Sequence, residues 1–235
     1  MSPRRHTGGV LDGLREIPGR LLDAAFPAAC VGCGREGHAI CPECRPALDA
    51  RLHMPPGERI GAPAILPAPL LQLEWCAAYG GLVRRALHAL KYRGEQRLAG
   101  PLGEAVARRW AYAGVGGDLL VPVPVHRDRA RERGFDQAAL IAAHAGRTLG
   151  IPVEPVLVRT RRTVAQYELD RSERADNVGG AFAAGPARAR SAVRGRWAVL
   201  VDDVVTTGAT LAACATALLE AGAVAVSAVT VARER

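Results

Sequence analysis

The fold is decided by a stretch near the C-terminus that reads Trp197-Ala198-Val199-Leu200-Val201-Asp202-Asp203-Val204-Val205-Thr206-Thr207-Gly208-Ala209-Thr210. The five residues at its start are apolar, which is typical of a short strand buried on both faces of a parallel sheet. After Thr210, apolar side chains recur at helical spacing as far as Gly222, and this pattern predicts a helix. Two carboxylates and a loop lie between this strand and this helix. In open α/β folds such a loop lies at the carboxyl edge of the sheet, where ligands bind.

The loop has the composition of a phosphate cradle. It consists of Thr206, Thr207, Gly208, Ala209 and Thr210. The threonines offer hydroxyl donors, the small residues let the backbone approach a ligand closely, and the first N–H groups of the helix point outward at its positive end. Asp202 and Asp203 can accept hydrogen bonds from the vicinal hydroxyls of a sugar. These groups together suit a sugar phosphate.

The alternative interpretation is purely structural. Carboxylates often cap a helix, and threonines fill ordinary turns. Any two of these features would favour that interpretation, but here all of them occur in register. We therefore expect a ligand site.

The stretch resembles the phosphoribosyl diphosphate (PRPP) binding motif of type I phosphoribosyltransferases. That motif is a run of apolar residues, an acidic pair, and threonines around a glycine, and each position is matched here. The resemblance implies that Asp202 and Asp203 hold the ribose hydroxyls. It also implies that residues 206–210 hold the 5-phosphate.

Composition and charge narrow the class of protein. The chain has 235 residues, and its hydrophobic content of 49% supports a packed core although only 4% of its residues are aromatic. The net charge of +8 is carried mostly by arginine, which favours polyanionic partners such as diphosphates or nucleic acid. No run of apolar residues is long enough to cross a membrane, and no secretory signal is evident. We expect a cytoplasmic protein.

Three segments differ in composition. Residues 1–50 hold an amphipathic pattern between Val10 and Phe26 and then four cysteines, and we interpret them as an N-terminal helix and zinc-knuckle domain. Residues 51–74 are rich in proline and predict a linker. Residues 75–235 alternate between strand and helix patterns. They predict a doubly wound, mostly parallel sheet, and the resemblance of the acidic stretch implies that it is of the type I phosphoribosyltransferase kind.

The four N-terminal cysteines form two Cys-x-x-Cys pairs. They are Cys30, Cys33, Cys41 and Cys44. Four thiolates suit a closed tetrahedral Zn²⁺ site, which makes the metal structural because no coordination position stays open. A disulfide is the alternative, although the cytoplasm disfavours it.

Further strands and helices follow along residues 75–235. We predict strands over 75–79, 118–125, 153–158 and 224–231, and helices over 82–91, 98–112 and 137–149. On the first of these helices, Lys91 appears on the polar face with Arg84, Arg85 and His88. Prolines 122 and 124 suit the end of a strand that leaves the sheet.

Two basic segments are candidates for contacts with the ligand. The first follows the predicted strand 118–125 and carries Arg127, Arg129 and Arg131, which could meet a diphosphate. A solvated basic loop is the alternative. The second runs from residue 159 to residue 180 without a regular pattern, as lids and binding loops do. We assign Arg162, Gln166 and Arg171 to this lid.

The chain as a whole resembles the ComF family of competence-associated proteins, which are described as double zinc ribbon or phosphoribosyltransferase-like proteins. The resemblance runs from about Phe26 to Ala232 and rests on several motifs. They are the four cysteines, Ala89-Leu90-Lys91-Tyr92-Arg93-Gly94, Val121-Pro122-Val123-Pro124-Val125-His126, Arg131-Glu132-Arg133-Gly134-Phe135-Asp136-Gln137, the segment from Gln166 to Arg171 with Arg174, Asn177 and Phe182, and the acidic stretch.

The chain departs from the family pattern at two places. Many members carry a second set of cysteines in the region of residues 51–74, and this chain has none there, so we expect one zinc ion. A glycine usual after Gln166 is replaced around Tyr167-Glu168. The resemblance implies involvement in DNA uptake during natural transformation.

Three functions are compatible with the sequence. The first is PRPP binding with Mg²⁺-dependent phosphoribosyl transfer, or its remnant, in which Asp202 and Asp203 act at the ribose. The second is a module that handles single-stranded DNA and keeps the fold for binding, for which Phe135, Tyr167 and Tyr92 are candidate base-stacking residues. The third is an adaptor that docks on a DNA translocase of the DNA-uptake machinery through the zinc domain.

Overall fold

The computed structural model describes residues 28–57, 66–113, 116–125, 131–160 and 181–234. Its centre is a four-stranded sheet with the order β1-β6-β5-β2, in which each neighbouring pair is parallel. A separate antiparallel pair is formed by β3 and β4. The strands are β1 (Leu73–Ala78), β2 (Leu119–Pro122), β3 (Leu157–Arg159), β4 (Phe182–Ala184), β5 (Trp197–Val205) and β6 (Ala225–Arg233). The predicted helix between Val10 and Phe26 lies outside the described residues.

Helices cover both faces of the parallel sheet, as the sequence predicted. Three of them pack on one face and two on the other. The helices are α1 (Gly81–Arg93), α2 (Ala99–Ala113), α3 (Gln137–Leu149), α4 (Ala187–Val193) and α5 (Ala209–Glu220). Helices α1, α2 and α3 share a core, and α4 and α5 belong to the other. None of the helices that the structure describes has the length and apolarity to cross a bilayer.

Strand β5 is one of the two interior strands of the sheet, and it pairs with β6 on one side and with β2 on the other. Its side chains alternate between the two cores, with Val199 and Val201 facing the first and Ala198 and Leu200 facing the second. The strand is longer than predicted. We expected it to end at Val201, but its pairing with β6 continues as far as Val205, so both acids lie inside the strand.

The predicted boundaries of α3 agree with the structure because both ends carry strong local signals. Asp136 is the N-cap, and its Oδ1 accepts a hydrogen bond of 3.1 Å from the backbone N–H of Ala139. Gly150 ends the helix with φ of 70°. The strand predicted over 153–158 is largely irregular instead. Val153 makes one isolated parallel bridge to Leu120, and the regular pairing of β3 begins only at Leu157.

The segment that follows the cysteines is fastened to the sheet. The backbone N–H of Arg51 donates to the carbonyl oxygen of Cys76 at 3.0 Å, so this segment covers the outer edge of β1. The Arg109 guanidinium donates to the carbonyl oxygens of Arg51 at 2.7 Å and of Met54 at 2.6 Å, and to Glu74 Oε2 at 2.9 Å. Arg51, Glu74 and Arg109 are all buried. Residues 51–57, at the start of the predicted linker, are therefore part of the packed molecule.

Candidate functional site at the carboxyl edge of the sheet

The acidic pair is split between the two faces of β5. Asp203 faces α1, where its carboxylate forms an ion pair with the Lys91 ammonium. Asp202 faces α5, and its charge is one reason that the pKa of the buried Cys214 thiol is raised, after burial itself. This separation follows from the alternation of side chains along a strand. The two acids therefore have different environments although they are adjacent in sequence.

Asp203 is the more enclosed of the two acids. Its side chain is 8% exposed, and that of Lys91 is 21% exposed. Burial opposes the charge on Lys91, but the carboxylates of Asp203 and Asp202 outweigh it and hold the lysine pKa above its ordinary value. Lys91 therefore stays charged at neutral pH, and the helix face on which the sequence placed it meets Asp203 at this position.

Asp202 is half-buried, and its residue is more exposed than Asp203. Its Oδ1 accepts a hydrogen bond of 2.8 Å from the backbone N–H of Asp203. Burial and the nearby Asp203 carboxylate raise the pKa of Asp202 well above its ordinary value. A carboxyl in this condition gains from a hydroxyl donor or a cation, because either one replaces lost hydration.

A third carboxyl, Asp136, lies at the same edge. Its Oδ2 accepts a hydrogen bond of 3.1 Å from the backbone N–H of Val125, which comes just after β2. Burial raises the pKa of Asp136, and the charge of Asp203 adds to the effect. The N-terminus of α3 and the end of β2 are thereby brought beside the end of β5.

The loop between β5 and α5 has the expected tight turn at Gly208. Its φ is 85°, a backbone conformation that favours glycine, and it is the N-cap residue of α5. The Thr207 hydroxyl accepts a hydrogen bond of 3.3 Å from the backbone N–H of Ala209. Thr207 is exposed, while Thr206 and Thr210 are half-buried. The loop therefore presents hydroxyl groups and helix N–H groups at the carboxyl edge.

One side of this loop is covered. A Cβ atom at Gly208 would lie 2.2 Å from Cγ of Pro67, so the glycine is required for close approach of the proline segment. The sequence analysis assigned the small residues here to close approach of a ligand. At Gly208 the neighbour that the structure shows is Pro67.

An aromatic side chain marks the rim next to Lys91. Tyr92 is 65% exposed, and the guanidinium carbon of Arg133 lies 5.1 Å from its ring centroid. The ring of His88 lies 4.8 Å from that of Tyr92. Arg133 also donates to Gln137 Oε1 at 3.0 Å, which ties this cluster to the start of α3.

The chain is similar in sequence to several known proteins. The phosphoribosyl transferase domain family matches residues 136–235, which include the acidic pair and the loop. The DNA utilization protein YhgH of Escherichia coli K12 is 33% identical over 85% of this chain and 86% of its own length. Competence protein ComFC of Bacillus subtilis is 29% identical over 82% and 72%. Competence protein F of Haemophilus influenzae is 35% identical over 40% and 41%.

The chain belongs to the ComF family. This confirms the recognition made from the sequence motifs, and the α/β fold class with it. Two of the ComF motifs lie next to each other in the structure. The Lys91-Tyr92 dipeptide and the Arg133–Asp136 segment meet at the end of β5, through the ion pair with Asp203 and the stacking of Arg133 on Tyr92.

Several site residues predicted for this ComF protein lie outside the described residues. They are Arg127, Arg129, Arg162, Gln166 and Arg171. Arg131 is described, and it is exposed. The acidic pair and residues 206–210 are all described and lie together at the carboxyl edge.

The four cysteines of the ComF N-terminal segment form one cluster. All of their Sγ atoms lie within 4.8 Å of one another. A zinc ion bonded to four thiolates at about 2.3 Å requires sulfur separations of about 3.8 Å, so the cluster fits this metal. Backbone N–H groups of Cys41 and Gly32 point at the Cys30 sulfur at 3.3 and 3.4 Å.

The ionisation of these thiols also favours a cation. Burial opposes ionisation of the Cys30 thiol, but hydrogen bonds from backbone N–H groups outweigh this effect and lower the pKa of Cys30 to about 6. Burial and Glu43 raise the pKa of Cys41 to about 12. Neighbouring thiolates repel one another, so all four ionise together only around a positive charge, which Zn²⁺ supplies.

The sequence analysis missed Lys91, Asp136 and Pro67 as members of the site's surroundings. Lys91 was part of a quoted motif but had no role. Its place in that motif is the one feature of the sequence that could have drawn attention to it. No comparable signal exists for Pro67, because its neighbour is distant in sequence.

Proposed function

We propose that this ComF-family protein binds PRPP with Mg²⁺ in the cytoplasm and is built for phosphoribosyl transfer. The observation that carries the proposal is the half-buried Asp202 at the end of β5, beside the hydroxyl-bearing loop that begins α5. A ribose 5-phosphate unit needs both groups, an acceptor for its hydroxyls and a cradle for its phosphate. Residues 206–210 supply the cradle.

The chemistry follows from charge. Loss of diphosphate leaves an oxocarbenium-like ribose, and carboxylates near the sugar stabilise that positive charge. Arg127, Arg129 and Arg131 come after β2 and would offset the charge of the leaving diphosphate. Mg²⁺ prefers carboxylate and phosphate oxygens, which Asp202 and the diphosphate provide, and it would supply further neutralisation of the leaving group. No protein nucleophile is required.

Calorimetry tests the proposal directly. We expect PRPP with Mg²⁺ to bind the wild-type protein, and the Asp202→Asn/Asp203→Asn double variant to bind at least about tenfold more weakly, since hydrogen bonds to charged acceptors are lost. Glu154→Gln is the matched control because this acid is exposed and lies near Leu120, away from the end of β5. Absence of heat with the wild type, or equal affinity in the double variant, would contradict the proposal.

The names of the relatives supply a cellular context. Two are called competence proteins and one a DNA utilization protein. We therefore place PRPP binding in the uptake of DNA during natural transformation, with DNA-uptake machinery as protein partners. A deletion strain complemented with the Asp202→Asn/Asp203→Asn variant should remain deficient in transformation. Full rescue by that variant would separate the transformation role from PRPP binding.

A second candidate function is supported by the Tyr92 cluster. An exposed aromatic ring flanked by Arg133 and His88 can stack a base of single-stranded DNA while the cation meets its backbone. We expect Tyr92→Ala to weaken binding of an oligothymidine. Tyr112→Ala is the matched control, because Tyr112 is 48% exposed and also contacts a histidine, His53, at 5.5 Å.

Salt and PRPP separate the two functions. Binding of the oligonucleotide through phosphate contacts should fall steeply as salt increases. If PRPP at saturation leaves that binding unchanged, the DNA surface is independent of the phosphate cradle. If PRPP displaces the oligonucleotide, both occupy the same carboxyl edge.

A further inference from the structure

We propose that Lys91 is a ligand-binding residue that recognises the diphosphate of PRPP, and that Asp203 is a positioning residue that holds its ammonium. The inference rests on the proposed function and divides the acidic pair into two roles. Asp202 contacts the ribose, and Asp203 acts through Lys91.

The first argument is access. With a side chain only 8% exposed, Asp203 is poorly placed to accept hydrogen bonds from a ligand. The Lys91 side chain is 21% exposed, and its ammonium lies at the carboxyl edge next to Asp203. A lysine ammonium carries three N–H donors, and Asp203 takes one of them. The remaining donors can meet an anion.

The second argument is position between two parts of the site. The Asp202 carboxylate is near enough to raise the pKa of Lys91, after Asp203, and the neighbouring Tyr92 contacts Arg133, which belongs to the basic segment after β2. That basic segment is where the leaving diphosphate is expected. Lys91 therefore lies near both the acid expected to accept ribose hydroxyls and the end of the basic segment at Arg133.

The third argument is charge. Asp202, Asp203 and Asp136 surround the edge, and a diphosphate approaching three carboxyls would be repelled. Lys91 is ion-paired within this group of acids. The lysine is at the C-terminal turn of α1, where the helix dipole favours a cation. Sequence and fold together therefore place a fixed positive charge where an anionic ligand requires one.

The test compares two ligands that differ in the diphosphate. We expect Lys91→Met to weaken PRPP binding about tenfold in the presence of Mg²⁺, the effect of one lost charge-assisted contact. Ribose 5-phosphate, which has no diphosphate, should bind this variant within about twofold of the wild type. Lys91→Arg retains the charge and should recover most of the PRPP affinity.

Controls address folding and non-specific charge effects. Arg93→Met removes an exposed cation two residues away and should leave both affinities unchanged. Lys91→Met leaves Asp203 buried without its cation, so the melting temperature is measured for each variant. The Lys91→Met/Asp203→Asn double variant removes both charges. If Asp203 acts through Lys91, this double variant binds PRPP no more weakly than Lys91→Met alone.

The outcomes distinguish this inference from the proposed function. If the wild type binds neither ligand, the proposed function fails. If it binds both and Lys91→Met loses affinity for both equally, or for neither, PRPP binding stands and the role of Lys91 in diphosphate recognition is overturned.

Discussion

Pro67 packs against Gly208, so the proline-rich segment meets the loop that begins α5. A Cβ atom built on Gly208 would lie 2.2 Å from Cγ and 3.2 Å from Cβ of Pro67. The two residues are far apart in the sequence, and the local sequence around either residue does not predict the contact. The contact joins the segment that precedes β1 to the loop expected to hold the 5-phosphate.

Gly208→Ala should destabilise the protein by about 1–3 kcal/mol, since it adds left-handed backbone strain and a clash with Pro67. Gly150→Ala is the control, because Gly150 has φ of 70° and open space around the position of a Cβ. Chemical denaturation gives the free energy of unfolding of each variant, and the difference between the two values is the cost of the clash with Pro67. Adding Pro67→Gly to Gly208→Ala should recover part of the loss, and no recovery would contradict the contact.

Asp202→Asn should stabilise the protein at neutral pH although it weakens the ligand site. The pKa of Asp202 is raised from its ordinary value of 3.8, so the folded state binds more protons than the unfolded state between the two values. Stability therefore falls as pH rises through that window. Asp202→Asn removes this loss of stability. Each unit by which folding raises the pKa corresponds to about 1.4 kcal/mol in the free energy of unfolding.

The measurement is thermal unfolding as a function of pH. We expect the stabilisation by Asp202→Asn at pH 8 to shrink as the pH is lowered and to disappear only below the ordinary value of 3.8, where the wild-type carboxyl is protonated in both states. An increment that stays constant with pH would show that Asp202 is not the group that titrates.

The four-cysteine cluster should hold one zinc ion for each chain, as counted by native mass spectrometry. Cys41→Ser should lower the zinc content and the melting temperature together, since the cluster packs on α1. A Cβ atom at Gly32 would lie 2.6 Å from Cδ1 of Leu82 on that helix. Cys76→Ala is the control, because Cys76 is buried outside the cluster and should keep the zinc.

Arg109→Leu should destabilise the protein by about 3–5 kcal/mol, because it leaves the buried Glu74 carboxylate without its main cation. The neighbouring Arg108 is the control. Its side chain is 38% exposed and pairs with Asp49, so Arg108→Leu should cost about 1 kcal/mol or less. Urea denaturation measures both, and equal losses would contradict a special role for the buried network.

The sequence anticipated the elements that have strong local signals. The boundaries of α3 agree because Asp136 caps one end and Gly150 the other, and the buried start of β5 is evident from its apolar run. The same stretch did not reveal where β5 ends. Pairing with β6 carries the strand through the acidic pair to Val205, and pairing of that kind depends on residues distant in sequence.

The sequence by itself determined the α/β class, the cysteine cluster, the family and the presence of a hydroxyl-rich loop after two acids. These depend on spacing and side-chain chemistry along a short stretch, which folding does not alter. Only the tertiary structure decided that β5 stays paired with β6 through both acids, that Lys91 pairs with Asp203, and that Pro67 covers Gly208. Each of these is a contact between segments far apart in the chain, and the packing of helices on the sheet brings them together.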